Sequence, residues 1–298
     1  MPTRPPADDP GRAALRAGTA AVTLDADVLA LTGADVLPYL QTKLTADTRT
    51  WPSTGGGRGI ATDINGRVVA SGWWVVNDGT VYAIVPKGAG AGLAEHLDRF
   101  VIMEDVTLAT ETSLAPILLV GDTAAGHLDA HPHVDAAHGP WAARLALVPA
   151  AERADLVAGT GLTDTSEAAL QAEEVAAGIP SDGVELAPGA SIPLEAGAWD
   201  RVSFDKGCYL GQEVIERLHS RGTPARRLCR LAVNAAPGAA VQTGDRSVGE
   251  IIRVADTPDG PMALGWVKRR GLADGVSLTV DGAPVTAIDV VQWGDATR

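Results

Sequence analysis

Apolar positions along this chain change period several times, and each change marks an element. The run Ala-Ala-Val-Thr-Leu-Asp over residues 20–25 reads as a short strand. In residues 34–41, Val36, Leu37 and Leu40 share one helical face, with Asp35 near the start. Residues 53–59 (Ser-Thr-Gly-Gly-Gly-Arg-Gly) read as a flexible loop; the Gly-Lys-Ser/Thr that a phosphate loop needs does not follow. Residues 59–64 and 67–76 are apolar and β-rich. They are joined through Asn65-Gly66, which supplies the positive φ angles of a tight hairpin. A strand is expected at 80–85. A helix is expected at 89–100, with Leu93, Leu97 and Phe100 on one face. Residues 115–120 and 144–148 read as strands around a loop-rich stretch at 121–140. A helix at 170–178 is ended by Gly178 and Pro180, and 181–199 read as a long irregular crossing.

After Pro224 the pattern becomes one of short β-type runs, at 227–233, 240–243, 247–253, 262–267, 277–280 and 285–291, separated by Gly, Pro and Asp. That spacing predicts a small antiparallel barrel. The fold class expected is α+β. The expected organisation is a disordered tail over residues 1–17, a two-lobed domain over 18–223 and a C-terminal β-barrel over 224–298.

Composition narrows the function classes. The 298 residues are 46% hydrophobic and 20% charged, as in a soluble globular protein. No apolar run approaches the ~20 residues of a membrane span, so no membrane association is expected. Two cysteines, Cys208 and Cys229, imply no disulfide framework and point to a reduced, cytoplasmic protein. The net charge of −13 is uneven: residues 1–200 carry −15 and residues 201–298 carry +2. The acidic body makes direct nucleic-acid binding unfavourable. The C-terminal part escapes that argument, because Arg217, Arg221, Arg226, Arg227 and Arg230 lie within fourteen residues. They suit a polycarboxylate tail or RNA phosphates; the plainer reading is a solvated helix end with arginine stems packed on the barrel.

The strongest chemical signal is Asp205-Lys206-Gly207-Cys208-Tyr209-Leu210-Gly211-Gln212-Glu213. Val202-Ser203-Phe204 reads as a strand entering it and residues 212–220 as a helix leaving it. Cys208 then sits just before a helix start and beside the Lys206 ammonium, both of which favour a thiolate. Gly207 and Gly211 are read as turn glycines whose backbone a Cβ would obstruct. Gln212 and Glu213 are expected to fix the turn or meet a ligand. The competing reading makes Cys208 a small buried hydrophobe. Two cysteines cannot supply the four thiolates of a usual iron–sulfur site, so a cluster held by this chain alone is not expected. Trp73-Trp74 on a strand face opposite sides, so one is core and the other can line a slot for a flat ring; Trp199 and Tyr209 are similar candidates. His127, His131, His133 and His138 with Asp122, Asp129 and Asp135 match no usual zinc spacing and read as a solvated loop, with no metal expected.

The motif Lys-Gly-Cys-Tyr-x-Gly-Gln-Glu-x3-Arg-x3-Arg-Gly, from Lys206 to Gly222, resembles the signature of the YgfZ family of folate-binding proteins, relatives of the glycine-cleavage aminomethyltransferases. Ala-Gly-Ile-Pro at 177–180, Gln41 to Asp47, Asn65-Gly66-Arg67, Gly249-Glu250-Ile251 and Ala263 to Val267 resemble further family blocks, so the likeness runs from about residue 18 onward. The resemblance implies lobes around an opening that holds tetrahydrofolate. It also implies a role in making or maintaining iron–sulfur enzymes, including one that modifies tRNA, with iron–sulfur client or assembly proteins as partners. Cys208 and Lys206 would be the functional pair. Gly207, Tyr209, Gly211, Gln212, Glu213, Arg217, Arg221, Trp73 and Trp74 would form the folate-side surroundings.

Departures from the pattern shift the expected activity. Aminomethyltransferases carry an Asp pair where this chain has Ala70 and Ser71, and Asn-Ala where it has Val85-Pro86. Ala176 stands where a pterin-gripping carboxylate usually precedes Ala-Gly-Ile-Pro; Glu173 or Glu174 is the alternative source. One-carbon transfer on folate needs a group that can hold or move a proton, and none of the replacing residues does so. The expectation is an accessory folate-binding protein. The alternatives are a folate-dependent aminomethyl or methyl transferase, and a non-catalytic module with a decayed pocket.

Overall fold

The computed structural model describes residues 5–222 and 224–294. Helix α1 (Pro10–Ala17) begins behind Asp9, whose carboxylate accepts the Arg12 N–H at 3.0 Å, and ends at Gly18 with φ 68°. Residues 10–17 are therefore ordered, against the expected tail. A Pro at the helix start behind an Asp cap is a helix signal that the polar composition masked. Arg12 is fully buried and donates to Glu173 at 2.7 Å, and Arg16 reaches the same carboxylate at 2.6 Å.

Along the chain follow β1 (Ala20–Thr23), β2 (Ala26–Thr32), α2 (Val36–Gln41), α3 (Trp51–Thr54), β3 (Gly56–Thr62), β4 (Val68–Asn77), β5 (Thr80–Pro86), α4 (Gly90–Asp98) and β6 (Thr107–Glu111). Next come β7 (Leu114–Val120), β8 (His133–His138), β9 (Trp141–Pro149), α5 (Arg153–Gly159), β10 (Thr163–Thr165), α6 (Glu167–Ala177) and α7 (Gln212–Arg221). The last part holds β11 (Arg226–Ala232), β12 (Ala240–Thr243), β13 (Arg246–Thr257), β14 (Gly260–Lys268), β15 (Thr279–Val280), β16 (Ala283–Pro284) and β17 (Ile288–Val290).

Three sheets result, ordered β3-β4-β5-β2-β6, β10-β1-β7-β9-β8 and β16-β15-β12-β13-β14-β11-β17. The first and third are antiparallel throughout, and the second has one parallel pair, β1 with β10. The third sheet occupies the region expected to form a barrel. Among the described residues its pairing is an open series with β16 and β17 as edges, a curled half-barrel. Strands β2, β6, β8 and β10 were not anticipated, and the expected strand at 202–204 is irregular.

The alternation of β4 builds two cores at once. Trp74 packs with Leu29, Leu40, Leu93 and Leu97 under α2 and α4. Trp73, one residue earlier, packs with Leu118, Leu145, Leu147 and Leu170 between the first two sheets and α6. Each fully buried aliphatic side chain of this kind contributes roughly 1.5–3 kcal/mol relative to exposure. Helix α6 also packs Ala172 and Val175 against Leu228, Leu264 and Trp266 of the third sheet. One helix thus borders all three sheets.

Candidate functional site

Where the first two sheets meet α6, a narrow cleft of about 80 Å³ opens. That is below the roughly 300–1,000 Å³ of pockets that enclose a whole organic ligand, so it admits part of a ligand. Trp73, Ile84, Leu118 and Leu170 form its apolar wall, and His138, Glu167, Glu174, Ser181 and Asp182 give it polar groups. Glu167, Leu170, Gln171 and Glu174 line it because they recur at three- and four-residue steps on one face of α6. Trp73 is thus the tryptophan at the slot, with the Arg58 guanidinium 4.7 Å above its ring centre. Trp74 is core: it stacks on Trp51 at 6.0 Å and donates from Nε1 to the Gly59 carbonyl at 3.3 Å.

Behind the cleft lies a buried charge network. Arg58 donates from Nη1 to His138 Nδ1 at 2.6 Å and from Nη2 to Asp182 Oδ2 at 2.5 Å. Asp182 Oδ1 also accepts from the Ser71 hydroxyl at 2.6 Å and from Arg201. His138 Nε2 meets Glu174 Oε1 at 3.0 Å, and Glu174 Oε2 accepts from Ser181 and, at 3.0 Å, from Arg253 Nη1. Arg253 grips Glu185 through Nε and Nη2, both at 2.9 Å. The geometry fixes the imidazole's state. A guanidinium can only donate, so His138 Nδ1 must carry a lone pair and Nε2 the proton that goes to Glu174. The ring is neutral, and burial pushes its pKa down. It lies between Trp73 and Trp141, at 6.2 and 6.1 Å.

The carboxyls in and behind the cleft diverge. Burial alone would raise Glu174, but the hydrogen bond from His138 and the charge of Arg253 more than offset it and hold the group at about 2. Burial would likewise raise Asp182; the charges of Arg201 and Arg58 keep it well below the usual carboxylate range. Glu167 lacks such cations, and burial pushes its carboxyl up. Carboxyls whose environments separate them are what acid–base chemistry uses. Of the two glutamates named as sources for the missing carboxylate, α6 turns Glu174 into the cleft and gives Glu173 to α1.

The cysteine motif forms a separate feature. Cys208 is exposed, and it is not among the residues lining the cleft. It precedes by three residues Gly211, the cap of α7. Its loop is pinned on both sides. Lys206 Nζ donates to the carbonyls of Leu44 at 2.7 Å and Ala46 at 2.6 Å, and burial lowers its pKa to about 8. The Lys206 ammonium, expected to act on the thiol, therefore anchors the loop. Thr62 holds the Leu210 carbonyl at 2.6 Å, and Gln212 Oε1 accepts the Tyr209 N–H at 3.3 Å. Gly211 has φ +81°, and a Cβ there would lie 2.3 Å from the Asp63 carbonyl oxygen, against the Asn65-Gly66 turn. Gly207 differs from its expected role: its φ is not positive and a Cβ would meet nothing within 4 Å.

The remaining expected site residues do not converge on the cleft. Tyr209 and Trp199 are buried in a small core with Leu194, Val202 and Ile215. Glu213 and Arg217 pair with each other at 2.8 Å on the exposed side of α7. Arg221 ends that helix, and its side chain lies outside the described residues. Among the described residues no cluster of His, Cys, Asp and Glu suits a metal ion. His138 is nevertheless not part of a solvated loop, since β8 carries it inward. Arg144 binds Asp129 and, at 2.7 Å, Asp135. Sequence reading missed Arg58, His138, Asp182, Arg201 and Arg253 as one group. Its one local signal was a charge set among apolar or glycine neighbours, as in Ile-Ile-Arg-Val at 251–254.

No family model matches the chain. It is 35% identical over 91 residues to a chloroplastic protein of Arabidopsis thaliana named only provisionally as a transferase, covering 29% of this chain and 21% of that protein. To the mitochondrial iron–sulfur cluster assembly factor IBA57 of Mus musculus it is 33% identical over 108 residues, covering 29% of this chain and 30% of the relative. The chain thus spans less than a third of the length of these curated relatives. Among solved structures it is similar to the glycine cleavage system aminomethyltransferase T of Bartonella henselae, with a TM-score of 0.76, 14% identity, and coverage of 94% of this chain and 88% of that one. That likeness shows an aminomethyltransferase-like fold.

Proposed function

We propose that this protein supports the assembly or repair of iron–sulfur enzymes, a tRNA-modifying one included, through Cys208, and that it binds the pterin end of a tetrahydrofolate at the cleft beside Trp73. The single observation that carries the first part is that Cys208 is the one accessible thiol on a pinned loop. Cys229 is fully buried in β11, and burial pushes its thiol up to about 12. Any contact with an iron–sulfur cluster would therefore use one thiolate from this chain, with the other ligands supplied by a partner. The local similarity to iron–sulfur assembly factors supports the same reading. A reducing compartment such as the cytoplasm would keep Cys208 free.

For the pterin, Trp73 offers a flat apolar wall, and Glu174 and Asp182, the latter bonded to Ser71, bring two ionised carboxylates to the cleft. An N–H-rich ring pairs well with ionised acceptors. One observation favours a second reading, a folate-dependent transferase: Glu167 lines the cleft with a raised carboxyl, and such a group can hold a proton for a reacting nitrogen.

Titration with tetrahydrofolate, followed by tryptophan fluorescence, tests the ligand. A saturable change that is lost in Trp73→Leu is expected, and no saturable change would point to the decayed pocket. Turnover with an aminomethyl donor that survives Cys208→Ala and is abolished by Glu167→Gln would favour the transferase.

A further inference from the structure

On a different face, where β11 and the end of β14 meet the β3–β4 turn, an open basin of about 780 Å³ is lined by Arg67, Arg226, Lys268, Arg269 and Arg270, with Glu195 as its one carboxylate. Five cations against one anion are out of character for a chain of net charge −13. They come from three distant segments, so folding concentrates them. The floor is built. Arg226 lies 4.2 Å over the Trp266 ring, donates to the Ala190 carbonyl and meets Glu195 at 3.4 Å. Arg67 donates to the Gly189 carbonyl at 3.1 Å, and Arg270 to that of Ser247 at 2.6 Å. Those bonds aim the guanidinium groups while leaving most of their N–H donors unused. Lys268 and Arg269 are exposed, and among the described residues neither side chain has a hydrogen-bond or ion-pair partner.

We propose that this basin docks a carboxylate-rich segment of a partner protein. Its breadth and openness suit an extended acidic stretch better than a single enclosed anion, and arginine forks match carboxylates two bonds at a time. A nucleic-acid strand fits less well. Trp266, the ring at the floor, is buried and carries the Arg226 guanidinium on its face, so it offers a base no open platform. The acidic remainder of the chain also repels a long phosphate backbone, whereas a short acidic segment meets only the local positive field. The basin makes no use of Cys208 or the cleft, so this proposal stands or falls apart from the iron–sulfur reading.

The test uses the full chain and fluorescein-labelled hexaglutamate in an anisotropy titration at low salt and at 0.5 M salt, with a single-stranded RNA 12-mer as comparator. The variants are Lys268→Glu/Arg269→Glu and, as a control away from the basin with the same change of four charges, Lys87→Glu/Arg99→Glu. Circular dichroism and melting temperature check folding. Saturable peptide binding that weakens about tenfold or more in Lys268→Glu/Arg269→Glu and at high salt, but not in Lys87→Glu/Arg99→Glu, is the expected result. Absence of peptide binding at low salt, binding that Lys268→Glu/Arg269→Glu leaves unchanged, or RNA binding tighter than peptide binding would overturn the proposal.

Discussion

The cleft and the Cys208 loop hang on the same strand and are stabilised in opposite ways. Arg58 and Thr62 lie four residues apart on β3; Arg58 enters the buried charge network and Thr62 ties down the cysteine loop. The network has three arginines, Arg58, Arg201 and Arg253, against three carboxylates, Glu174, Asp182 and Glu185, with neutral His138 between them. Each member depends on the others, because a charge left unpaired in the interior is costly. The loop depends on backbone carbonyls and one glycine, and its Cys208 is exposed. The contrast separates residues that hold the shape from a residue that can change without loss of shape.

Removing Arg253 should break the comparison hardest. Arg253→Met leaves Glu185 and Glu174 buried without their cation and frees β13 from α6, so a loss of roughly 3–5 kcal/mol in urea unfolding is expected. Gly211→Ala comes next. Its Cβ would meet the Asp63 carbonyl at a positive φ, so a loss above about 1 kcal/mol is expected, while Gly207→Ala should stay within about 0.5 kcal/mol. The pair shows which glycine the motif needs for its shape.

Acid should act on the network in two stages. His138 has a folded pKa below its ordinary value, so the unfolded chain takes up protons first. Its contribution to stability is full above the unfolded value of about 6.5 and is lost as pH falls toward the folded value. Glu174 is held at about 2, so its contribution is full above the unfolded carboxyl range near 4.3 and fades as pH falls through about 2. Melting temperature against pH should therefore fall in two steps, and His138→Gln should remove the upper one.

Much of the loop was legible in the sequence, and little of the network was. Asn65-Gly66 announced a hairpin, and Gly66 does take φ +70°; Asn65 does not take a positive φ, and the turn between β3 and β4 spans residues 63–67. The Trp73-Trp74 pair announced two opposite faces, because strand alternation is local. The network joins residues 58, 138, 174, 182, 201 and 253, and no local pattern links them. Apart from Glu174, one of two glutamates named as a source of the missing carboxylate, each reads alone as a surface charge, and His138 reads as part of a polar loop until β8 pairs with β9 and carries it inward. Helix α1 was missed for a related reason: its short apolar side, Ala14 and Leu15, sits among prolines and charges, and the partner that pairs buried Arg12, Glu173, comes from distant α6.

The smallest expected change in stability accompanies the largest expected change in function, at Cys208. Cys208→Ser should unfold within about 0.5 kcal/mol of the parent, since the thiol is exposed. The decisive measurement is the activity of a purified iron–sulfur enzyme matured in cells that lack this protein and are supplied with either the parent chain or Cys208→Ser at equal abundance. The parent should restore the enzyme's cluster content and the serine variant should not. Full restoration by Cys208→Ser would contradict the proposed role of Cys208.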